Sequence, residues 1–296
     1  MENKINLVFV TDKAYFKYML VALLSLIQNT KRNIAVTIFL SYKENPIILN
    51  EVKDKFSDFS NLEICFKYFD KKDIEHIKVK KHVSTSAYIK VYLPKLLVDL
   101  DKVIYLDSDL IVLNDIGELW DSFSNERPLY AAWNPRYTYD NKVIGLKENE
   151  KTFNSGVMLL NLKKMREMKS TSLLLNFIKD KNELTRLNDQ AAFNSVFAHK
   201  WGDIPLTWNV TYQFYLRSAN YLGITKRDKK QILNDAKIIH FTTGSKPWKY
   251  RSCHPYKKLY QKFLKELFDE EVTEEKKISD LIKKSVEKVR LLKSSF

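Results

Sequence analysis

The opening of the chain alternates between two hydrophobic periods, and that alternation constrains the fold more than any other feature. Residues 5–10 form a strand-like run, apolar except for Asn6, whereas residues 15–28 carry their apolar side chains at helical spacing until the polar stretch 29–33 interrupts them. The pattern then repeats: residues 35–40 read as a strand, 46–56 as a helix and 62–68 as a strand. Strand, helix and strand in succession make the unit of a parallel sheet. An α/β fold is therefore expected, with a mixed, mostly parallel sheet flanked by helices and ligands at the carboxyl ends of the strands.

Further along, residues 86–97 read as a helix that Pro94 ends or kinks. Strands are expected at 103–106 and 129–133, followed by a loop rich in Asn, Pro and Tyr and an apolar run at 157–162, and helices are expected at 172–178 and 189–197. A last strand at 237–241 would bring His240 to the edge at which Asp107 emerges. From residue 257 onward there is no glycine or proline, and lysine, glutamate and leucine dominate, a helical composition. The organisation expected is a catalytic domain over residues 1–250 and a basic helical extension over 251–296. In that extension Ile278, Leu281, Ile282, Val289 and Leu292 share one helical face beside Lys283, Lys284, Lys288, Arg290 and Lys293. Such a helix can lie on an anionic membrane surface, or pack on its own domain or a partner subunit.

A formal net charge of +14 draws the protein to polyanions: nucleic acid, an anionic bilayer or phosphorylated glycans. No RNP-like or zinc-finger motif accompanies the charge, so no specific nucleic acid is expected, and a solvated basic surface is the ordinary alternative. Cys65 and Cys253 are far apart in sequence and indicate neither a disulfide framework nor a thiolate zinc site. Residues 19–27 are too short an apolar run to span a bilayer and lack a cleavage pattern. The expected setting is cytoplasmic, or peripheral on the inner face of the membrane.

The chemistry centres on the run 103–112, which holds Asp107 and Asp109. Side chains two apart in an extended segment point to one side, so the two carboxylates can share a cation; burying both without one is costly. Oxygen ligands suit Mg or Mn, and an imidazole from His240 shifts the preference toward Mn. Lys246 can then neutralise phosphate charge. Each residue also has an ordinary alternative. Asp12 can cap a helix, Asn154-Ser-Gly156 can be a turn, and Asp189 can be an N-cap. His240 can be structural, while Trp208 and Trp248 can be packing residues.

Five segments in order carry a resemblance: Leu7-Val-Phe-Val-Thr-Asp12, Tyr105-Leu-Asp-Ser-Asp109, Phe153-Asn-Ser-Gly156, Asn188-Asp-Gln190, and His240 with Lys246-Pro-Trp248. On them the chain resembles the retaining, GT-A-fold glycosyltransferases of family 8, which include bacterial lipooligosaccharide galactosyltransferases, lipopolysaccharide glucosyltransferases and glycogenin. The resemblance implies metal-dependent transfer of galactose or glucose from a UDP-sugar to a glycan or glycoconjugate acceptor, with an α-linkage. It implies that Val10, Thr11 and Asp12 line the uridine pocket, Tyr15 stacks on the uracil and Ser108 lies beside the ribose. Asp107, Asp109 and His240 would bind Mn, with Mg as the alternative. Asn134, Asn154, Ser155, Asp189 and Gln190 would face the donor sugar, Gln190 beneath the anomeric carbon; Gly244 and Lys246 would meet the diphosphate. His82 and Trp208 would meet the acceptor, for which a bacterial surface glycan or glycosylated adhesin is expected.

Three positions depart from the family pattern. Lys90 stands where relatives have an arginine near the donor, so a bidentate contact becomes a single flexible one. Ala14 replaces a polar nucleotide contact, and Gly244 falls one position later than usual. Two other functions fit an apolar strand ending in Asp-x-Asp: an aspartyl-phosphate phosphohydrolase, and a catalytically inactive module binding sugar nucleotides or polyanions.

Overall fold

The computed structural model describes residues 4–69, 85–135, 141–181, 188–269 and 278–294. Along the chain come β1 (Ile5–Thr11), α1 (Phe16–Gln28), β2 (Ile34–Leu40), α2 (Pro46–Lys55), β3 (Leu62–Tyr68), α3 (Thr85–Leu96), β4 (Lys102–Leu106) and β5 (Leu110–Val112). Next are α4 (Ile116–Asp121), β6 (Leu129–Trp133), β7 (Phe153–Asn161), α5 (Leu162–Glu167), α6 (Ser170–Lys181), α7 (Asn188–Val196) and β8 (Gly202–Ile204). The remainder holds β9 (Val210–Thr211), α8 (Gln213–Leu216), α9 (Ala219–Leu222), α10 (Lys226–Asn234), β10 (Ile238–His240), α11 (Lys257–Phe268) and α12 (Ile278–Ser294). These elements fall into two compact units, one of Met1–Phe16, Lys31–Asp107 and Gly117–Ile204, the other of Lys17–Thr30, Ser108–Ile116 and Pro205–Phe296.

The first unit is built on a seven-stranded sheet of order β3-β2-β1-β4-β7-β6-β8. The β3-β2-β1-β4 pairings and the β6-β8 pairing are parallel, and β7 runs antiparallel to β4 and β6. The expected mixed, mostly parallel sheet is what forms. Its inner strands are buried on both faces, which is why β1 and β7 read as apolar runs rather than alternating ones. At the edge, β3 alternates and carries Glu63 and Lys67 outward, charges that discourage pairing with a further strand. Asn45 caps α2 by accepting from Ile47 N, with Pro46 as the first helical residue. Pro94 lies inside α3, which runs two residues past it. The carbonyls freed at that helix end are met by Arg166, whose guanidinium donates to Pro94, Leu97 and Leu100 oxygens.

The second unit contains a three-stranded sheet of order β5-β10-β9, with β10 antiparallel to β5 and parallel to β9. This corrects the expectation that the strand of His240 shares the edge from which Asp107 emerges. β10 is only three residues long and pairs with β5, so His240 sits opposite Leu110, the residue after Asp109. Phe241 N donates to Asp109 O at 2.9 Å and extends that pairing. Among the described residues no helix is long and apolar enough to cross a membrane.

Candidate active site

In the first unit the end of β1 delivers Val10 and Thr11, both buried. Asp12 Oδ1 accepts from Tyr15 N at 2.9 Å, so the aspartate that the sequence allowed as a helix cap closes a turn just ahead of α1, where the half-buried Tyr15 leaves the sheet.

Deeper in, α3 brings Lys90 to a set of oxygen acceptors. Only 2% exposed, its ammonium lies 3.1 Å from Ser155 Oγ, 3.1 Å from Asp189 Oδ2 and 3.6 Å from Asp107 Oδ1. It also sits 4.3 Å from the centre of the Tyr105 ring, whose hydroxyl donates to Asp107 Oδ1 at 2.7 Å. A lysine has three donors and suits partners approaching from different elements; here they come from β4, β7 and α7. Within the protein itself Lys90 is thus a hub for three oxygens.

Gln190 lies beside this hub. Its Oε1 accepts from Asn154 Nδ2 at 3.0 Å and Ser155 N at 3.3 Å, while its Nε2 is buried with no partner among the described residues. Asn154 Oδ1 accepts from Gly156 N at 3.0 Å, but the tripeptide lies in the first half of β7, so the ordinary turn that the sequence allowed there does not form. Asn194, one helical turn past Gln190, exchanges hydrogen bonds with the backbone N–H and C=O of Phe153 at 2.8 and 2.9 Å and so locks α7 to β7. Asn134 is buried, and its Nδ2 has no partner among the described residues. Buried amide donors without partners cost roughly 1 to 3 kcal/mol each, and a polar ligand relieves that cost.

The second unit supplies Asp109, His240 and Lys246. Burial pushes the Asp109 carboxyl up, but His240 and Lys246 outweigh it and hold the group well below the usual carboxylate range. Lys246 Nζ donates to Asp109 Oδ2 and to Phe241 O. Asn209 Oδ1, at the end of the single helical turn Leu206–Asn209, lies 2.9 Å from His240 Nδ1. A carboxamide oxygen only accepts, so Nδ1 carries a proton and Nε2 faces Asp109 Oδ1 at 3.2 Å. In the neutral imidazole both facing atoms are electron-pair donors, an arrangement that a cation satisfies. Asp107, Asp109 and His240 each offer one ligand atom, and those atoms lie within 4.8 Å of one another. Two carboxylate oxygens and one imidazole nitrogen fit a divalent metal ion.

Ser108 is buried, as is Trp208, whose ring carries the Lys237 ammonium 4.7 Å from its centre. Trp248 is also buried and stacks on Tyr18 at 3.6 Å between centroids. Gly244 O accepts from the Arg251 guanidinium. His82 lies outside the described residues. The residues that sequence reasoning missed are second-layer ones: Asn209, Tyr105 and Asn194. Tyr105 stands inside a motif already singled out and Asn209 directly follows Trp208, but nothing in a motif states which neighbour a side chain orients.

The family model "Glycosyl transferase family 8" matches residues 6–252. The chain is 28% identical over 224 residues to General stress protein A of Bacillus subtilis, covering 73% of this chain and 76% of that protein. It is 27% identical over 182 residues to the lipopolysaccharide 1,2-glucosyltransferase of Escherichia coli, covering 60% of this chain and 53% of that one. Among solved structures, the galactosyltransferase LgtC in complex with donor and acceptor sugar analogues superposes with a TM-score of 0.75 at 20% identity, over 94% of this chain and 100% of that chain. The apo bifunctional glycosyltransferase WbbM gives 0.76 at 21% identity, over 92% of this chain and 52% of that one. These structural likenesses establish the GT-A fold.

Proposed function

The chain belongs to glycosyl transferase family 8, and from that premise we propose that it moves a hexose, galactose or glucose, from a UDP-sugar to a glycan or glycoconjugate hydroxyl with retention at the anomeric carbon. The observation that carries this reading is the Asp107, Asp109 and His240 group with Lys246 against Asp109. A Mn ion held by that group would neutralise the diphosphate as it departs. Lys246 adds a positive charge, and Asn209 keeps the His240 ring in the orientation that presents Nε2.

In the first unit, Gln190 and Asn134 offer their unpartnered amide N–H groups to the donor sugar, and Asn154 and Ser155 hold Gln190 in place. Lys90 fixes the direction of Asp189, the carboxylate next to Gln190 in sequence. Val10, Thr11, Asp12, Tyr15 and Ser108 are assigned to the nucleoside, Gly244 to the diphosphate, and His82 and Trp208 to the acceptor. A bacterial surface glycan is the proposed acceptor, met by an enzyme that sits peripherally on the inner face of an anionic membrane.

A panel of UDP-sugars tests the proposal through Mn-dependent hydrolysis or transfer. Asp109→Ala should lower turnover by at least about a hundredfold, the scale of losing one electrostatic stabiliser in a water-excluded site. Near-normal, metal-dependent turnover in that variant would sink the proposal. No turnover of any UDP-sugar by the wild-type chain would favour an inactive binding module instead.

A further inference from the structure

The loop between His240 and Lys246 serves two neighbours. Lys246 Nζ donates to Asp109 Oδ2 and to Phe241 O, on the side of the metal-ligating group. Ser245, the residue before it, donates instead to Glu287 of α12 at 2.5 Å. Glu287 is buried and also accepts from the Tyr212 hydroxyl and from Cys253 N at 2.9 Å, so α12 is fixed beside this loop.

Between loop and helix lies a cleft of about 410 Å³, walled by Thr243, Gly244 and Ser245 and lined by four cations, Arg217, Arg251, Lys283 and Arg290. Glu287 is the carboxylate among its lining residues, and its two oxygens already accept the three hydrogen bonds above. None of the four cations forms an ion pair among the described residues. Two of them are oriented by neighbours. Arg217 Nε donates to Gln213 Oε1 at 3.3 Å, and its guanidinium lies 4.6 Å from the centre of the Tyr221 ring. Arg251 donates to Gly244 O, and its Nε is buried without a partner among the described residues. Like charges around one hollow repel one another, and an anion relieves both that repulsion and the unmet donor. The planar fork of a guanidinium matches the oxygens of a phosphate in particular.

We propose that this cleft is an anion subsite, separate from the metal-ligating group, that binds a phosphate ester carried by the acceptor glycan. Lys283 and Arg290 lie on α12, outside the residues 6–252 that the family model matches, and Lys246 is engaged with Asp109, so the cations of the cleft are not those of the donor site. Gly244, assigned above to the diphosphate, is also in the wall, so the subsite adjoins the donor's leaving group through one loop. A volume of about 410 Å³ falls in the range of small-molecule pockets, roughly 300 to 1,000 Å³, and suits an ester better than a lone ion. Gln213, Thr243 and Ser245 bring hydrogen-bonding side chains that suit sugar hydroxyls. That the ester belongs to the acceptor rests on the glycosyl-transfer reading; the phosphate site itself does not.

Calorimetric titration of the full chain, in a chelator that keeps the metal-ligating group empty, tests this. The probes are inorganic phosphate, glycerol phosphate, glucose phosphorylated on its primary hydroxyl, and plain glucose. Both esters should bind at least as tightly as inorganic phosphate, and glucose should not bind. Arg217→Gln with Arg290→Gln, both exposed, should keep the wild-type melting profile and weaken the esters at least about tenfold. Lys226→Gln with Lys230→Gln removes the same charge from exposed positions on α10 and should cost less than about threefold, as should Lys246→Gln.

No binding of either ester overturns the subsite. So does binding that Lys246→Gln loses and the arginine pair keeps, because the anion would then sit in the donor's diphosphate site. Equal losses in the arginine and α10 pairs would reduce it to diffuse attraction by the basic surface. Binding of inorganic phosphate without the esters would overturn the acceptor as the source of the phosphate. Calorimetry is independent of turnover: if the chain transfers no sugar while the esters still bind through Arg217 and Arg290, the subsite stands and its assignment to the acceptor falls.

Discussion

Helices α11 and α12 come from one basic, glycine-free stretch of sequence, both are amphipathic, and they pack in opposite senses. α11 buries Tyr260, Phe263, Leu264 and Leu267, and Tyr260 meets Phe241 at 5.4 Å and Trp248 at 5.5 Å between ring centroids. α12 buries Glu287 and Ser294 and leaves its aliphatic row in solvent. The difference lies in the surface each helix meets. An aromatic layer receives α11, whereas the Tyr212 hydroxyl, Ser245 and the Cys253 N–H await α12, and a leucine there would strand those donors. Amphipathicity identifies an apolar face without identifying what covers it.

The largest test of this contrast is Leu264→Ala, which empties a fully buried position on α11 and should cost about 3 kcal/mol in a denaturant titration. An effect below about 1 kcal/mol would mean that α11 is not held by its apolar face.

Next in size is a pH effect in the aromatic layer beneath α11. His254 lies among Tyr212, Tyr215 and Phe241, and burial pushes its pKa down to about 3. The unfolded chain, with an ordinary histidine near 6.5, takes up that proton first. Stability is therefore complete above about pH 6.5 and falls as pH drops from there toward 3, by about 2 kcal/mol at pH 5. His254→Phe should flatten that slope in thermal melts between pH 7 and 5; an unchanged slope would place the acid sensitivity elsewhere.

On the α12 side, Glu287→Gln keeps the shape and one acceptor oxygen, enough for the Tyr212 hydroxyl and Cys253 N, but sets an NH2 donor where Ser245 Oγ now donates, and should cost about 1 kcal/mol. Leu292→Ala should cost less than about 0.5 kcal/mol, since that side chain is mostly in solvent. If Leu292→Ala destabilised the chain as much as Leu264→Ala, the outward orientation of the row would be wrong.

Much of the first unit was legible because its elements are long and strongly patterned. Residues 5–10, 35–40 and 62–68 were read as strands, and β1, β2 and β3 form there, all parallel. The short elements were not legible in the same way. β10 is only three residues long, and its membership in a separate sheet follows from its pairing with β5. Within the candidate site, the residue types suited to a metal were visible in Asp107, Asp109 and His240. The orientation of His240 by Asn209, and the three oxygens gathered by Lys90, were not, because they join residues distant in the chain.

The sequence by itself determined the α/β class, the order of the long strands and helices, the carboxylate pair and the amphipathic end, since each is a local pattern of side-chain period or spacing. Only the tertiary structure decided that His240 comes to Asp109 through the pairing of β10 with β5, that Lys90 is a hub, and that α12 faces its leucines outward. Those outcomes depend on which buried donors and acceptors must be satisfied by which neighbours, and that is a property of surfaces assembled from distant segments.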